Sequence, residues 1–159
     1  MVNDMKLSQI IEQGDIIPEL KAENKVGVLE ELAEVICKHE PLLKKERLVQ
    51  ILMDREKLGT TGIGDGIAIP HGKIDVLKNP LLSFGKSKKG IDYDAIDNKP
   101  VYLFFLLVAP ENSSGLHLHI LARIAKLLKN NKFKKSLMEA DTKEEIYKII
   151  TEADKEISV

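Results

Sequence analysis

Apolar residues recur at helical spacing in five stretches of this chain and run almost without interruption through a sixth. From Asn24 to about Lys38, Val26, Leu29, Leu32, Ala33 and Ile36 follow a helix period, and Asn24 is placed to cap the start. From about Lys44 to Leu58, Leu48, Leu52 and Arg55 share one face at i, i+4 and i+7, with Gly59 positioned to end the helix. Three more helices are predicted over Ser114 to about Lys129, Lys132 to Glu139 and Thr142 to Glu152. Thr142 and Glu145 form a capping-box pattern for the last.

Strand signals sit between these helices. Ile67-Ala68-Ile69 is a short apolar strand, and Leu81 to Gly85 is a second. Lys86 to Gly90 reads as a polar turn, followed by a short alternating stretch at Ile91-Asp92-Tyr93. Asp97 to Pro100 is a turn feeding Val101 to Val108, whose continuous apolarity implies burial on both faces. Helices must therefore cover both sides of the sheet. The predicted class is α/β, a mixed β-sheet flanked by helices on both faces, with residues 1–159 forming a single domain.

Composition narrows the function. The 159 residues are 43% hydrophobic and 31% charged, a balance suited to one ordinary globular core. With 24 basic and 25 acidic side chains, the net charge of −1 supplies no long-range attraction for nucleic acid. Cys37 is the single cysteine, so an internal disulfide and a multi-cysteine zinc site are excluded. Its neighbours Val35 and Ile36 suggest a small buried hydrophobe, and a reducing cytoplasm fits. The apolar run from Val101 to Pro110 is about half the roughly 20 residues that a spanning helix needs. No direct membrane insertion is expected.

The chemistry concentrates between Gly59 and Lys73, where five of the ten glycines fall. The stretch ends on His71, held between Pro70 and Gly72. Pro70 fixes its own φ and pushes Ile69 towards an extended shape, so a short strand delivers one imidazole at its end. Nucleotide-binding spacings fail: Gly62, Gly64 and Gly66 make no G-x-G-x-x-G, and Gly66 to Gly72-Lys73 is one residue too long for a P-loop. A zinc site built from His71, His117 and a carboxylate lacks the usual close ligand pair, so no metal and no cofactor are expected.

The other histidines separate by pattern. His39 closes the first helix, where a cation is favourable. His119 aligns with Arg123 and Lys126 on a polar face and is expected in solvent. His117 shares its stripe with Leu121, Ile124 and Leu128, so its ring is expected to point inwards from the first turn after Ser113-Ser114-Gly115. A helix start there would favour a bound anion, although a buried structural histidine fits the same pattern. Lys129, Lys132, Lys134 and Lys135 form a basic cluster around Phe133, read as a solvated face.

The Gly59 to Lys73 segment, Arg55-Glu56 before it and His117 to Ala125 after it resemble the fructose/mannitol-type enzyme IIA (EIIA type-2) domain of the bacterial phosphoenolpyruvate-dependent sugar phosphotransferase system (PTS). The likeness runs from about Leu7 to Ile150, and Asp94 to Asn98 pulls towards its nitrogen-regulatory branch. It implies a cytoplasmic phosphocarrier that accepts a phosphoryl group from phospho-HPr on His71. The group would then pass to an enzyme IIB that serves a membrane enzyme IIC. His117 and Arg55 are implied as the catalytic companions of His71. Thr61, Gly62, Gly64, Gly66, Pro70 and Gly72 would form the phosphoryl- or partner-binding loop. The alternative within the same family is a regulatory phosphoprotein that binds targets according to His71 phosphorylation. Imidazole suits either role, because with a reference pKa of about 6.5 it is largely neutral at pH 7 and can attack phosphorus without a separate base. A strand-end histidine with a merely structural hydrogen bond is the competing reading of His71.

Overall fold

The computed structural model describes residues 5–157. After two 3₁₀ turns, Leu7–Gln9 and Gln13–Asp15, come β1 (Ile16–Ile17), α1 (Lys25–Cys37), α2 (Lys45–Lys57), β2 (Gly62–Gly64), β3 (Ile67–Ala68) and β4 (His71–Ile74). The chain continues through β5 (Leu81–Ile91), β6 (Val101–Pro110), α3 (Ser114–Leu128), α4 (Asn131–Glu139) and α5 (Lys143–Lys155). Asn24 caps α1 by accepting from the Gly27 N–H, and Thr142 caps α5 by accepting from the Glu145 N–H.

Strand β6 is the axis. β5 pairs with it antiparallel, from Leu81 opposite Val108 to Ile91 opposite Val101. On the other edge β3 and β4 lie one after the other, both parallel to β6, with Ile67 opposite Leu103 and His71 opposite Leu107. β1 extends the sheet beyond β5 in parallel, and β2 closes the opposite side as a hairpin with β3. The sheet is thus mixed, as the alternation of elements implies.

Side chains of β6 alternate between two cores. Leu103, Phe105 and Leu107 pack with Ile120 and Ile124 of α3, Leu137 of α4 and Ile146 and Ile150 of α5. Phe104, Leu106 and Val108 pack with Leu29 and Leu32 of α1 and Leu48 and Leu52 of α2. This is why the strand is apolar at successive positions: each face of the pleat meets a helical layer. Among the described residues, no helix is long and apolar enough to cross a membrane.

Two expectations are corrected here. Lys86 to Gly90 is not a turn, because β5 continues to Ile91 with a register shift between Lys86 and Ile91. Lys86 is fully buried, and its ammonium donates to the carbonyls of Leu137 (3.0 Å), Met138 (3.2 Å) and Ala140 at the end of α4. A cation there satisfies carbonyls that a helix end leaves open, so a polar letter in the sequence marks a core strut. Cys37, expected in the core, is only partly buried at its margin.

Replacing Lys86 with Met should lower stability by about 2–3 kcal/mol, since buried acceptors lose their donor. Lys88→Met, which removes an exposed pair with Asp141, should change it by less than about 0.5 kcal/mol. Urea melts of the two variants measure the contrast.

Candidate functional site

The break between β3 and β4 creates the site. Pro70 has no N–H to give, while its carbonyl accepts from Leu107 N at 3.0 Å. The Ile69 N–H turns away to donate to the carbonyl of Thr61 at 3.0 Å. His71 then opens β4, rather than closing the strand before it as the sequence suggested. Its Nδ1 lies 2.8 Å from the Ile69 carbonyl oxygen. A carbonyl can only accept, so the ring proton sits on Nδ1 and the lone pair on Nε2 is free to attack.

His117 stands in the first turn of α3 and is 4% exposed, as its apolar stripe predicted. The two imidazoles meet edge to face with centroids 5.3 Å apart. Burial, with the neighbouring His71 and Lys73 adding to it, pushes His117 down to about 4. Burial also lowers His71; the Ile69 hydrogen bond works against it, the Arg55 guanidinium adds to it and Glu56 opposes it. Both rings are therefore neutral near pH 7. His117 Nδ1 is buried and makes no hydrogen bond among the described residues.

Arg55 lies in the last turn of α2, half-buried, and its Nη1 donates to the Gly59 carbonyl at 2.8 Å. Its charge is felt at His71, so the structure brings Arg55, His71 and His117 into one neighbourhood. Lys73, which sequence reasoning did not single out, donates to Ser114 Oγ at 2.7 Å and places a second cation beside His117. The signal was available: two residues along a strand from His71, Lys73 points to the same side.

The glycine loop does something other than expected. The Gly62 N–H donates to Thr60 Oγ1 and the Asp65 N–H to Asp97 Oδ2, both at 3.1 Å, so these donors are not free for a phosphoryl group. β2 and the Asp65-Gly66 turn form a hairpin with β3, and Gly64 and Gly66 adopt φ of 96° and 77°, which favour glycine. Ile67 is four register positions from His71 along β6, about 13 Å. Gly64 and Gly66 therefore stand at the far end of the strand. Gly72 is close to the chemistry, but its role is packing: a Cβ there would come within 3.1 Å of Ile51 on α2. Pro70 is buried and sets the strand break.

Thr61 is buried at 3% exposure and belongs to a polar cluster that sequence reasoning missed. Its N–H donates to Glu56 Oε1 at 3.0 Å, and its hydroxyl reaches Glu56 Oε2 and the Tyr93 hydroxyl. Lys25 Nζ lies 2.7 Å from Glu56 Oε1 and 4.6 Å above the Tyr93 ring. The clue was Glu56 itself, which continues the buried Leu48 and Leu52 stripe at i+8.

Of the other two histidines, His39 follows the end of α1 as expected, and its Nε2 lies 2.6 Å from Asp15 Oδ1, tying that end to the N-terminal segment. Glu12 lies close enough to join them in a possible metal-ligand group, but the Asp15–His39 contact already satisfies both side chains. His119, expected in solvent, is half-buried, and its buried Nε2 has no hydrogen-bond partner among the described residues. Its helix neighbour Arg123 is 3% exposed and paired with Asp154, which also accepts from the Leu7 N–H at 2.7 Å. The polar face of α3 is thus partly an internal one.

A strand break on a mixed sheet between two helical layers thus presents a half-buried, neutral imidazole beside a second histidine and an arginine. Residues 9–153 match the family model for the phosphoenolpyruvate-dependent sugar phosphotransferase system, EIIA 2, and the chain belongs to that family. It is 39% identical to a nitrogen regulatory protein of Bradyrhizobium diazoefficiens, over 92% of this chain and 95% of that protein. It is 34% identical to the fructose-specific EIIABC component of Bacillus subtilis over 95% of this chain, which spans only 24% of that protein. Among solved structures, nitrogen regulatory protein IIA-Ntr from Neisseria meningitidis superposes with a TM-score of 0.85 at 33% identity, over 91% of this chain and 99% of that one. Mannitol IIA from Escherichia coli shares the fold, with a TM-score of 0.74 at 22% identity over 88% of this chain and 98% of that one.

The His117 pKa makes a stability prediction. In the unfolded chain the ring protonates near 6.5, and in the folded protein only near 4. Between these values the unfolded state binds more protons, so stability falls as pH drops through that window. His117→Asn should flatten this acid limb in denaturant melts taken from pH 7 to pH 4.

Proposed function

We propose that the protein is a phosphocarrier that accepts a phosphoryl group from phospho-HPr on Nε2 of His71 and passes it to an enzyme IIB. This transfer serves a membrane enzyme IIC from the cytoplasm. The observation that carries this reading is the Nδ1–H bond to the Ile69 carbonyl, which holds the ring and leaves Nε2 as the nucleophile. In the transfer, the P–N bond of the donor breaks as the P–Nε2 bond forms. The donor imidazole departs with the electron pair, and His71 keeps its Nδ1 proton. No base is needed at the site.

Charge in the transition state spreads over the equatorial phosphoryl oxygens, so positioning and electrostatics supply the catalysis. Arg55 offers the unused part of its planar fork to those oxygens, and neutral His117 offers one ring N–H. Lys73 adds positive charge at the start of α3. Leu58, 84% exposed beyond Arg55, and Leu118, 65% exposed beside His117, are apolar anchors for a partner that must bring its own reactive atom to Nε2.

A second reading is favoured by the near-complete correspondence with the Bradyrhizobium nitrogen regulatory protein. In it the same His71 chemistry switches binding to target proteins, because a phosphoryl group adds about −1.5 to −2 charge at the docking face. Transfer onward to an enzyme IIB separates the two.

Incubation with phosphorylated HPr should place acid-labile phosphate on His71, and His71→Ala should abolish the label. Arg55→Ala and His117→Ala should each slow labelling by about 10²-fold while leaving its position unchanged. Persistent label in His71→Ala would overturn the assignment.

A further inference from the structure

Glu56 is linked to both halves of the site by hydrogen bonds, through its buried carboxylate on one side and its backbone carbonyl on the other. One path runs through Thr61: Glu56 takes the Thr61 N–H and hydroxyl, the Thr61 carbonyl takes the Ile69 N–H, and the Ile69 carbonyl takes the His71 Nδ1–H. The other path runs through Gly59, which lies between Glu56 and Thr61. The Gly59 N–H donates to the Glu56 backbone carbonyl at 3.1 Å, and the Gly59 carbonyl holds the Arg55 guanidinium at 2.8 Å. Folding Thr61 back onto Glu56 therefore fixes the short segment on which Arg55 rests.

We propose that Glu56 is the positioning residue of this site, setting the orientation of the His71 ring and the reach of Arg55 through these two paths. The inference rests on the phosphocarrier reading above and assigns Glu56 no contact with the phosphoryl group. Its carboxylate is fully engaged: Oε1 by Lys25 and Thr61, Oε2 by Thr61 and by the Tyr93 hydroxyl at 3.3 Å. Glutamine has the same length but only one acceptor oxygen. It cannot hold the Thr61 N–H and hydroxyl in the same way. Displacing a reacting group by about 1 Å can cost about 10²-fold in rate, so a carboxylate remote from phosphorus can still govern transfer.

Glu56→Gln alone strands the Lys25 ammonium, which is only 15% exposed, so the informative variant is Lys25→Met/Glu56→Gln, compared with Lys25→Met alone. Three quantities are measured for each: the melting temperature, the initial rate of labelling from phosphorylated HPr, and the His71 tautomer from ¹⁵N ring shifts. The expected result is that the double variant melts like Lys25→Met, still labels at His71, but does so about 10- to 100-fold more slowly. Its His71 ring should also lose the pure Nδ1–H signature. A double variant with the rate and tautomer of Lys25→Met overturns the proposal. Should the double variant fail to fold, Tyr93→Phe and Thr61→Ala remove single neutral donors. A graded loss of rate with tautomer mixing supports the proposal, and unchanged rates overturn it. Absence of label in the unmodified protein would instead refute the phosphocarrier reading itself.

Discussion

One hydrogen bond, from His71 Nδ1–H to the carbonyl of Ile69, gives the rest of the site its meaning. It forms where β3 gives way to β4: the Pro70 carbonyl keeps its bond to β6, the Ile69 N–H goes to Thr61, and the Ile69 carbonyl on that outer side is taken by the imidazole. The bond chooses the tautomer, aims the ring and decides which nitrogen keeps a free lone pair. His117 and Arg55 are useful only relative to a ring so held. Burial contributes the second feature: it lowers the pKa of both imidazoles and keeps them uncharged near neutral pH.

The fold supplies this geometry through the strand at its centre. Because β6 is apolar on both faces, it is fixed between two helical layers, and its free edge becomes a rigid template for β3 and β4. The layer formed by α3 carries His117, and the layer formed by α2 carries Arg55. The site thus sits where elements from both sides of the sheet converge on one edge. Polar struts secure the edges of the arrangement: Lys86 on the end of α4, and Arg123 with Asp154 between α3 and α5.

Much of this was legible in the sequence. Helix periodicity located all five α-helices, and Asn24 and Thr142 marked two starts correctly because capping is a local, side-chain-driven event. The uninterrupted run from Val101 announced a strand buried on both faces. His117 was separable from His119 by its stripe alone. What was not legible depended on distant partners. Lys86 reads as turn-like until α4 arrives over it, and Arg123 reads as solvated until Asp154 meets it. Glycines at 62, 64 and 66 suggested an anion cradle, but their conformations serve a hairpin whose N–H groups at Gly62 and Asp65 are already engaged. Glu56 was the omission with a visible cue, since an acid in register with Leu48 and Leu52 has to find its partners inside.

The three side chains gathered at this edge are contributed by residues 55, 71 and 117, and the last arrives on a helix that follows the central strand. A nascent chain lacking α3 would hold the His71 imidazole with no neighbouring ring and one face of the sheet uncovered. The trio is therefore complete only once α3, emerging after the central strand, has packed onto that face.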